Sequence, residues 1–243
     1  MILFLLAHAG GFAQAYAVAF KELANRLAPK GLELIGLDLP GHGGRIDEPL
    51  LESLQDMTAD LSLRLADELK ARPDKSYLVF GHSLGGLLGY LMTAELPEDQ
   101  APKHLFMSST CVPGLMPVGH DFIEMDNDTL WRASSQRFGA LRNDLETTGQ
   151  LTSGNELIEI FAPILRSDLS AVINQNYQPW PHSQVPTTLF YSNNDIVSGL
   201  DMAKWQAYFS KPIEIIKCQG GHFHSLENPT PLINRLVKVI ETL

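Results

Sequence analysis

Cysteine and basic residues are both scarce in this chain of 243 residues. The two cysteines, Cys111 and Cys218, lie far apart and show no C-x-x-C spacing, so the sequence does not favour a disulfide framework or a zinc site. Lysine and arginine total 18 against 28 aspartates and glutamates, which leaves a net charge of −10 and no basic stripe for a phosphate backbone. We therefore expect no metal, no cofactor and no nucleic-acid partner.

A long apolar run is also missing. No stretch approaches the ~18 uninterrupted apolar residues that a membrane span requires. The apolar opening has no lysine or arginine before Lys21 and is interrupted at residues 8–11. Because a secretory signal peptide opens with a basic region, we interpret this segment as a buried strand. We expect a cytoplasmic protein that does not enter the membrane.

Short aliphatic runs recur along the chain and alternate with amphipathic segments. The runs cover residues 1–7, 32–37, 77–80, 104–107, 188–191 and 213–217. Two buried helical stripes are predicted, one of Met57, Leu61, Leu65 and Leu69, the other of Ile233, Leu236, Val237 and Ile240. Continuous apolar strands alternating with helices predict an α/β fold, with a mostly parallel central sheet and helices on both faces, in a single domain of residues 1–243.

The interval between the fourth and fifth runs is unusually long. It spans about 80 residues, roughly twice the usual spacing, and it is too apolar for a linker. Its large apolar side chains are Phe122, Trp131, Phe138, Phe161, Ile164, Leu165, Tyr177 and Trp180. We interpret residues 112–180, approximately, as a helical lid over the carboxyl ends of the strands. These side chains line a ligand channel or simply form the core of the lid.

The stretch FGHSLGG places Ser83 between a predicted strand and a predicted helix, with Gly81 and Gly85 two residues away on either side. A sharp strand-to-helix turn strains its central residue and brings the chain so close that side chains at the flanking positions would collide. Because glycine removes that collision, the pattern in this context indicates the nucleophile elbow of an α/β-hydrolase fold.

A serine nucleophile requires a base, and the base requires an acid that orients it. In this fold the acid follows a late strand and the histidine follows the last one. Asp195 and His222 occupy these positions. Asn193 and Asn194 directly precede Asp195, but their side chains cannot carry the negative charge, so we choose Asp195 as the acid. Two glycines let the chain bend just before His222, so we favour it over His224 as the base. The alternative role for Asp195 is to cap a loop.

Hydrolysis also needs preorganised N–H donors for the oxyanion. We expect one donor to be the backbone N–H of Leu84, directly after the serine, and the other to be Ala9 in the loop after the first strand. Gly10 is the next choice for the second donor. The alternative is that Gly10 and Gly11 merely begin a helix.

Five motifs together carry a family resemblance: LLAHAGGFAQAY, LDLPGHGGR, FGHSLGG, FAPILRSDLSAVINQNY and GGHF. Over nearly its whole length the chain resembles the type II thioesterases of polyketide and nonribosomal peptide assembly lines, which are α/β-hydrolases. The lid motif is more specific than the elbow, because Pro163, Leu165, Arg166 and Asp168 are not demanded by triad chemistry.

The sequence departs from that family at two positions. Leu84 replaces a common methionine, which is harmless if only its N–H is used. His224 replaces a bulky apolar residue, and we expect it in the pocket wall or at the surface. In the lid, Arg166 and Asp168 either form a solvated pair with each other or shape the pantetheine entrance.

The resemblance implies a serine thioesterase that hydrolyses acyl groups from the phosphopantetheine arm of acyl or peptidyl carrier proteins. It also implies an acidic carrier. Because this chain is itself acidic, docking would need a local basic or apolar patch at the entrance. Possible basic contributors, each otherwise an ordinary exposed charge, are Lys103, Arg132, Arg137 and Arg142. Two alternatives are a small-molecule carboxylesterase of the same fold and a ligand-binding homologue without turnover.

Overall fold

The computed structural model describes residues 1–115, 118–139, 154–174 and 180–243. The strands are β1 (Ile2–Leu6), β2 (Glu33–Gly36), β3 (Tyr77–His82), β4 (Leu105–Ser108), β5 (Thr187–Ser192) and β6 (Glu214–Cys218). They form one sheet in the order β2-β1-β3-β4-β5-β6, and every neighbouring pair is parallel. Each strand overlaps one of the six predicted aliphatic runs, and the predicted fold class is confirmed.

The two faces of the sheet bury alternate residues of the central strands. In β1, Ile2, Phe4 and Leu6 contact one hydrophobic cluster, whereas Leu3 and Leu5 contact the other. Because both faces are covered, β1 and β3 are buried along their whole length. This explains why they read as continuous apolar runs, while the edge strands β2 and β6 are partly exposed.

Helices cover both faces of the sheet. They are α1 (Ala13–Ala19), α2 (Lys21–Leu27), α3 (Leu54–Lys70), α4 (Leu84–Thr93), α5 (His120–Glu124), α6 (Asn127–Phe138), α7 (Gly154–Ile173), α8 (Gly199–Lys204), α9 (His224–Glu227) and α10 (Thr230–Thr242). Helices α1, α2 and α10 pack on one face, and α3 and α4 on the other. Both predicted stripes are confirmed: seven of their side chains are buried, and Leu69 on α3 is half-buried.

Helices α5, α6 and α7 lie between β4 and β5 in the chain, within the predicted lid segment. Leu130 of α6 and Leu165 and Leu169 of α7 form a small hydrophobic cluster with Phe223. Since Phe223 follows β6, the cluster places these helices near the carboxyl ends of the strands. Two residues considered in the sequence, Arg142 and Tyr177, lie outside the described residues.

Among the helices that the structure describes, none combines the length and the apolar character that crossing a membrane requires.

Candidate active site

Ser83 stands at the turn between β3 and α4. Its backbone has φ 53° and ψ −116°, a conformation that is strained for a residue with a side chain. A Cβ on Gly81 would collide with the backbone of Gly85, and a Cβ on Gly85 would collide with the carbonyl of Leu6. The flanking glycines therefore allow α4 to pass close to β1 and β3, which presents the serine hydroxyl at the end of the sheet.

Asp195 and His222 meet beyond the ends of β5 and β6. The Nδ1–H of His222 donates to Asp195 Oδ1 at 2.8 Å, and both side chains are buried. Burial alone would raise the pKa of Asp195, but the hydrogen bond and charge of His222, with further hydrogen bonds from Ser109 and the Val197 N–H, lower it. The carboxylate is therefore held ionised against the ring.

Ser109 is a site residue that cannot be identified from the sequence. It follows β4, its hydroxyl donates to Asp195 Oδ2, and its backbone has φ 51°. Apart from Ser83, it is the one non-glycine residue with positive φ in the described part of the chain. Its position directly after a strand, at the carboxyl edge of the sheet, is the one signal that the sequence offers. That signal is too general to single out this serine.

A cavity that is partly open to solvent joins Ser83 to His222. Its apolar lining includes Leu84, Leu87, Val112, Phe138, Leu165, Leu169, Val172, Ile196 and Phe223. Because Nδ1 of His222 is bound to Asp195, Nε2 is the nitrogen left for the serine. No hydrogen bond joins Ser83 to His222 among the described contacts, and in ligand-free sites this contact is commonly long and tightens when substrate binds.

The lid contributes to this cavity and also has a core of its own. Phe138 of α6 and Leu165 of α7 line the cavity, and the Phe138 ring centroid lies 5.4 Å from that of His222. Phe122 and Trp131 pack in the lid cluster and do not line the cavity. Leu165 and Phe138 belong to the lid cluster as well, so both interpretations of the lid side chains hold and they overlap at these two residues.

The two expected oxyanion donors, Leu84 and Ala9, both line the cavity. Leu84 is the first residue of α4, where the N–H groups have no partner within the helix. Neither N–H has a protein acceptor among the described hydrogen bonds. The N–H of Gly10 instead donates to Asp168 Oδ2 at 2.7 Å, so the alternative choice of Gly10 is wrong. Gly10 does not begin a helix either, because α1 starts at Ala13.

Arg166 and Asp168 do not pair, so the expectation of a solvated pair is wrong. Residues two apart on a helix point to different sides. Arg166 donates to the Ile123 carbonyl and, at 3.0 Å, to Asn127 Oδ1. Asp168 is 1 % exposed and contacts Gly10 N and, at 2.9 Å, His42 Nε2. No sequence pattern singles out His42.

His224 lies neither in the pocket wall nor at the surface, so that expectation is also wrong. It is fully buried on α9, with Nε2 3.2 Å from Ser108 Oγ. Burial lowers the pKa of His224 to about 4 and that of His8 to about 3. His82 is likewise fully buried, its Nδ1 is 2.9 Å from Ser225 Oγ, and burial lowers its pKa well below 6.5. Several neutral histidines therefore surround His222.

The basic residues considered for docking do not share one location. Lys103 lies just before β4, and its N–H donates to the Tyr77 carbonyl at the start of β3. This is the opposite end of the sheet from Ser83, so Lys103 is wrong as an entrance residue. Arg132 and Arg137 are exposed on α6, the helix that ends at the cavity residue Phe138.

The parallel sheet and the turn that presents Ser83 define an α/β-hydrolase. Among solved structures, the fold is similar to ClbQ from the colibactin pathway, with a TM-score of 0.82 and 21% identity over 99% of this chain and 97% of ClbQ. It is also similar to RedJ, a thioesterase of the prodiginine pathway in Streptomyces coelicolor, with a TM-score of 0.79 and 24% identity over 98% of this chain and 85% of RedJ.

The chain belongs to the thioesterase domain family, which it matches over residues 1–240. It is 27% identical to the human medium-chain S-acyl fatty acid synthase thioesterase over 86% of this chain and 78% of the human protein. It is 25% identical to the gramicidin S biosynthesis protein GrsT of Aneurinibacillus migulanus over 97% of this chain and 87% of GrsT. The protein is a hydrolase that acts on thioesters, similar to type II thioesterases of polyketide and nonribosomal peptide pathways.

Proposed function

We propose that this thioesterase removes acyl groups from the phosphopantetheine arm of acyl or peptidyl carrier proteins through an acyl-enzyme at Ser83. The observation that carries the proposal is the buried Asp195–His222 pair, 2.8 Å between heavy atoms, at the cavity that Ser83 also lines. The similarity to RedJ and GrsT, both from biosynthetic pathways, supports a carrier-bound substrate.

In the first half of the reaction, His222 Nε2 takes the proton of Ser83 as its oxygen attacks the thioester carbonyl. Asp195 holds Nδ1–H and so fixes the tautomer and stabilises the imidazolium. The N–H groups of Leu84 and Ala9 bind the oxyanion. Collapse of the intermediate expels the pantetheine thiol, whose pKa of about 8.5 makes its protonation by His222 undemanding.

In the second half, a water molecule replaces the thiol. His222 removes its proton as it attacks the acyl-enzyme, and the released carboxylic acid leaves Ser83 regenerated. The aliphatic walls of the cavity bind the acyl chain by burying its apolar surface. Arg132 and Arg137 are exposed on α6, whose last residue lines the cavity, and they supply positive charge for an acidic carrier.

The test compares substrates that differ only in the bond broken. Acyl-carrier and acyl-pantetheine thioesters should be hydrolysed with a higher kcat/KM than matched oxygen esters, measured by thiol release and by mass spectrometry of the carrier. Equal or reversed preference would instead indicate a carboxylesterase. Absence of turnover on every acylated carrier and ester would indicate a ligand-binding homologue.

A further inference from the structure

Asp168 is a buried carboxylate of the lid that lies outside the proposed triad. It is 1 % exposed on α7, and a single oxygen, Oδ2, accepts both the Gly10 N–H at 2.7 Å and His42 Nε2 at 2.9 Å. The other oxygen, Oδ1, has no hydrogen-bond partner among the described residues. Both partners of Asp168 come from loops at the carboxyl end of the sheet, since Gly10 follows β1 and His42 follows β2.

The lid helix also packs directly on the loop that carries Gly10. Leu165 and Asp168 are three residues apart and therefore share a face of α7. Gly10 has φ +74°, and a Cβ at this position would lie 3.2 Å from the Leu165 Cβ. Helix α7 thus contacts the loop through an apolar side chain and a carboxylate together.

The hydrogen bonds of His42 indicate a positively charged ring. Its Nδ1 lies 2.9 Å from the Pro40 carbonyl, which can only accept, so Nδ1 carries a proton. Its Nε2 faces a carboxylate and so carries one as well. Burial alone would lower the pKa of His42, but the charge and hydrogen bond of Asp168 and the bond to Pro40 outweigh burial and raise it.

We infer that Asp168 and His42 are positioning residues that hold the oxyanion loop in its working conformation. The inference rests on the proposed function. A hydrogen bond to the Gly10 N–H fixes the Ala9–Gly10 peptide, which adjoins the peptide that carries the Ala9 N–H. His42 holds the carboxylate in place from the opposite loop. The lid therefore sets the geometry of the second oxyanion donor, although no lid atom is proposed to touch the oxyanion.

The experiment measures kcat and KM of Asp168→Ala on an acyl-pantetheine thioester. We expect kcat to fall about 100-fold, the range for loss of one oxyanion donor, with KM changed less than threefold. Asp168→Asn keeps an oxygen acceptor for the Gly10 N–H, so its kcat should be at least tenfold higher than that of Asp168→Ala. The matched control is Ser167→Ala, which removes the neighbouring α7 hydrogen bond to the Leu51 carbonyl and should stay within threefold of wild type.

Three outcomes would overturn the inference: an unchanged kcat in folded Asp168→Ala, an effect confined to KM, or an equal fall in Ser167→Ala, which would indicate a general lid tether. Circular dichroism melting establishes folding. If Asp168→Ala does not fold, His42→Gln decides, with about a tenfold lower kcat expected and an unchanged kcat contradicting the inference. Ser83→Ala is measured in parallel, because turnover in that variant would refute the proposed function rather than the role of Asp168.

Discussion

The two sides of the cavity are held together in different ways. On one side, Ser83, Asp195 and His222 each lie within four residues of a strand end, so the sheet itself places them. On the other side, Ala9 and Gly10 likewise lie within four residues of the end of β1, but their loop is also bonded to Asp168 of the lid, which is 158 residues from Gly10 and 126 from His42 in the sequence. In the proposed mechanism, strand ends place the nucleophile and the base, whereas the oxyanion loop depends in addition on how the lid packs.

The largest effect is expected on the side held by the sheet. Asp195→Asn should lower kcat by about 10⁴, because the amide no longer favours the tautomer with a proton on Nδ1 and leaves the imidazolium without a counter-charge. The matched control is Asp201→Asn on α8, whose carboxylate bonds Ser198 and Lys204 away from the cavity. Steady-state kinetics of both variants give the comparison, and a loss below tenfold in Asp195→Asn would show that His222 does not need this partner.

A smaller effect is expected on the side held by the lid. Gly10→Ala places a Cβ against Leu165 at a positive φ and should lower kcat about tenfold by shifting the Ala9 donor. Gly31→Ala is the control, since Gly31 has φ +66° and a Cβ at this position would meet no described atom within 4 Å. Backbone strain of about 1 kcal/mol should lower Tm in both variants. Equal kcat values in the two variants would contradict a special role for the loop.

The smallest effect on turnover is expected at His224, behind the site. Its pKa is 6.5 unfolded and about 4 folded, so the unfolded chain binds more protons between these values. The free energy of unfolding should therefore fall as pH is lowered from about 6.5 to about 4. His224→Leu should remove at most about 3 kcal/mol of that fall.

Urea denaturation at several pH values measures the slope, with kcat at neutral pH as the control. Ser108 keeps its contact with His82 in the variant, at 3.1 Å, so the hydroxyl is not left unpaired. A slope as steep as that of wild type would mean that His224 does not contribute to the acid sensitivity.

The contrast between the two sides also explains which parts of the structure could be predicted from sequence. Strand ends, the glycines around Ser83 and the order of acid and histidine are local signals, and they point to Ser83, Asp195 and His222 from the sequence alone. Asp168 was misjudged because its neighbour Arg166 was the nearest opposite charge in sequence, while its partners come from distant loops.

Two further residues could not be placed from the sequence, because their contacts also come from distant parts of the chain. Ser109 carries no pattern of its own, and only the meeting of β4 and β5 brings it to Asp195. His224 was expected in the pocket wall because it follows His222 closely. The start of α9 turns its side chain into the core instead, beside Ser108.

The central claim is that Ser83 is the nucleophile, and one measurement tests it most directly. The protein is incubated with a fluorophosphonate, and the modified peptide and the residual thioesterase activity are followed together. We expect one label per chain, on Ser83, and loss of hydrolysis in proportion to labelling. Hydrolysis that persists in fully labelled protein, or labelling at another residue that abolishes it, would contradict the account.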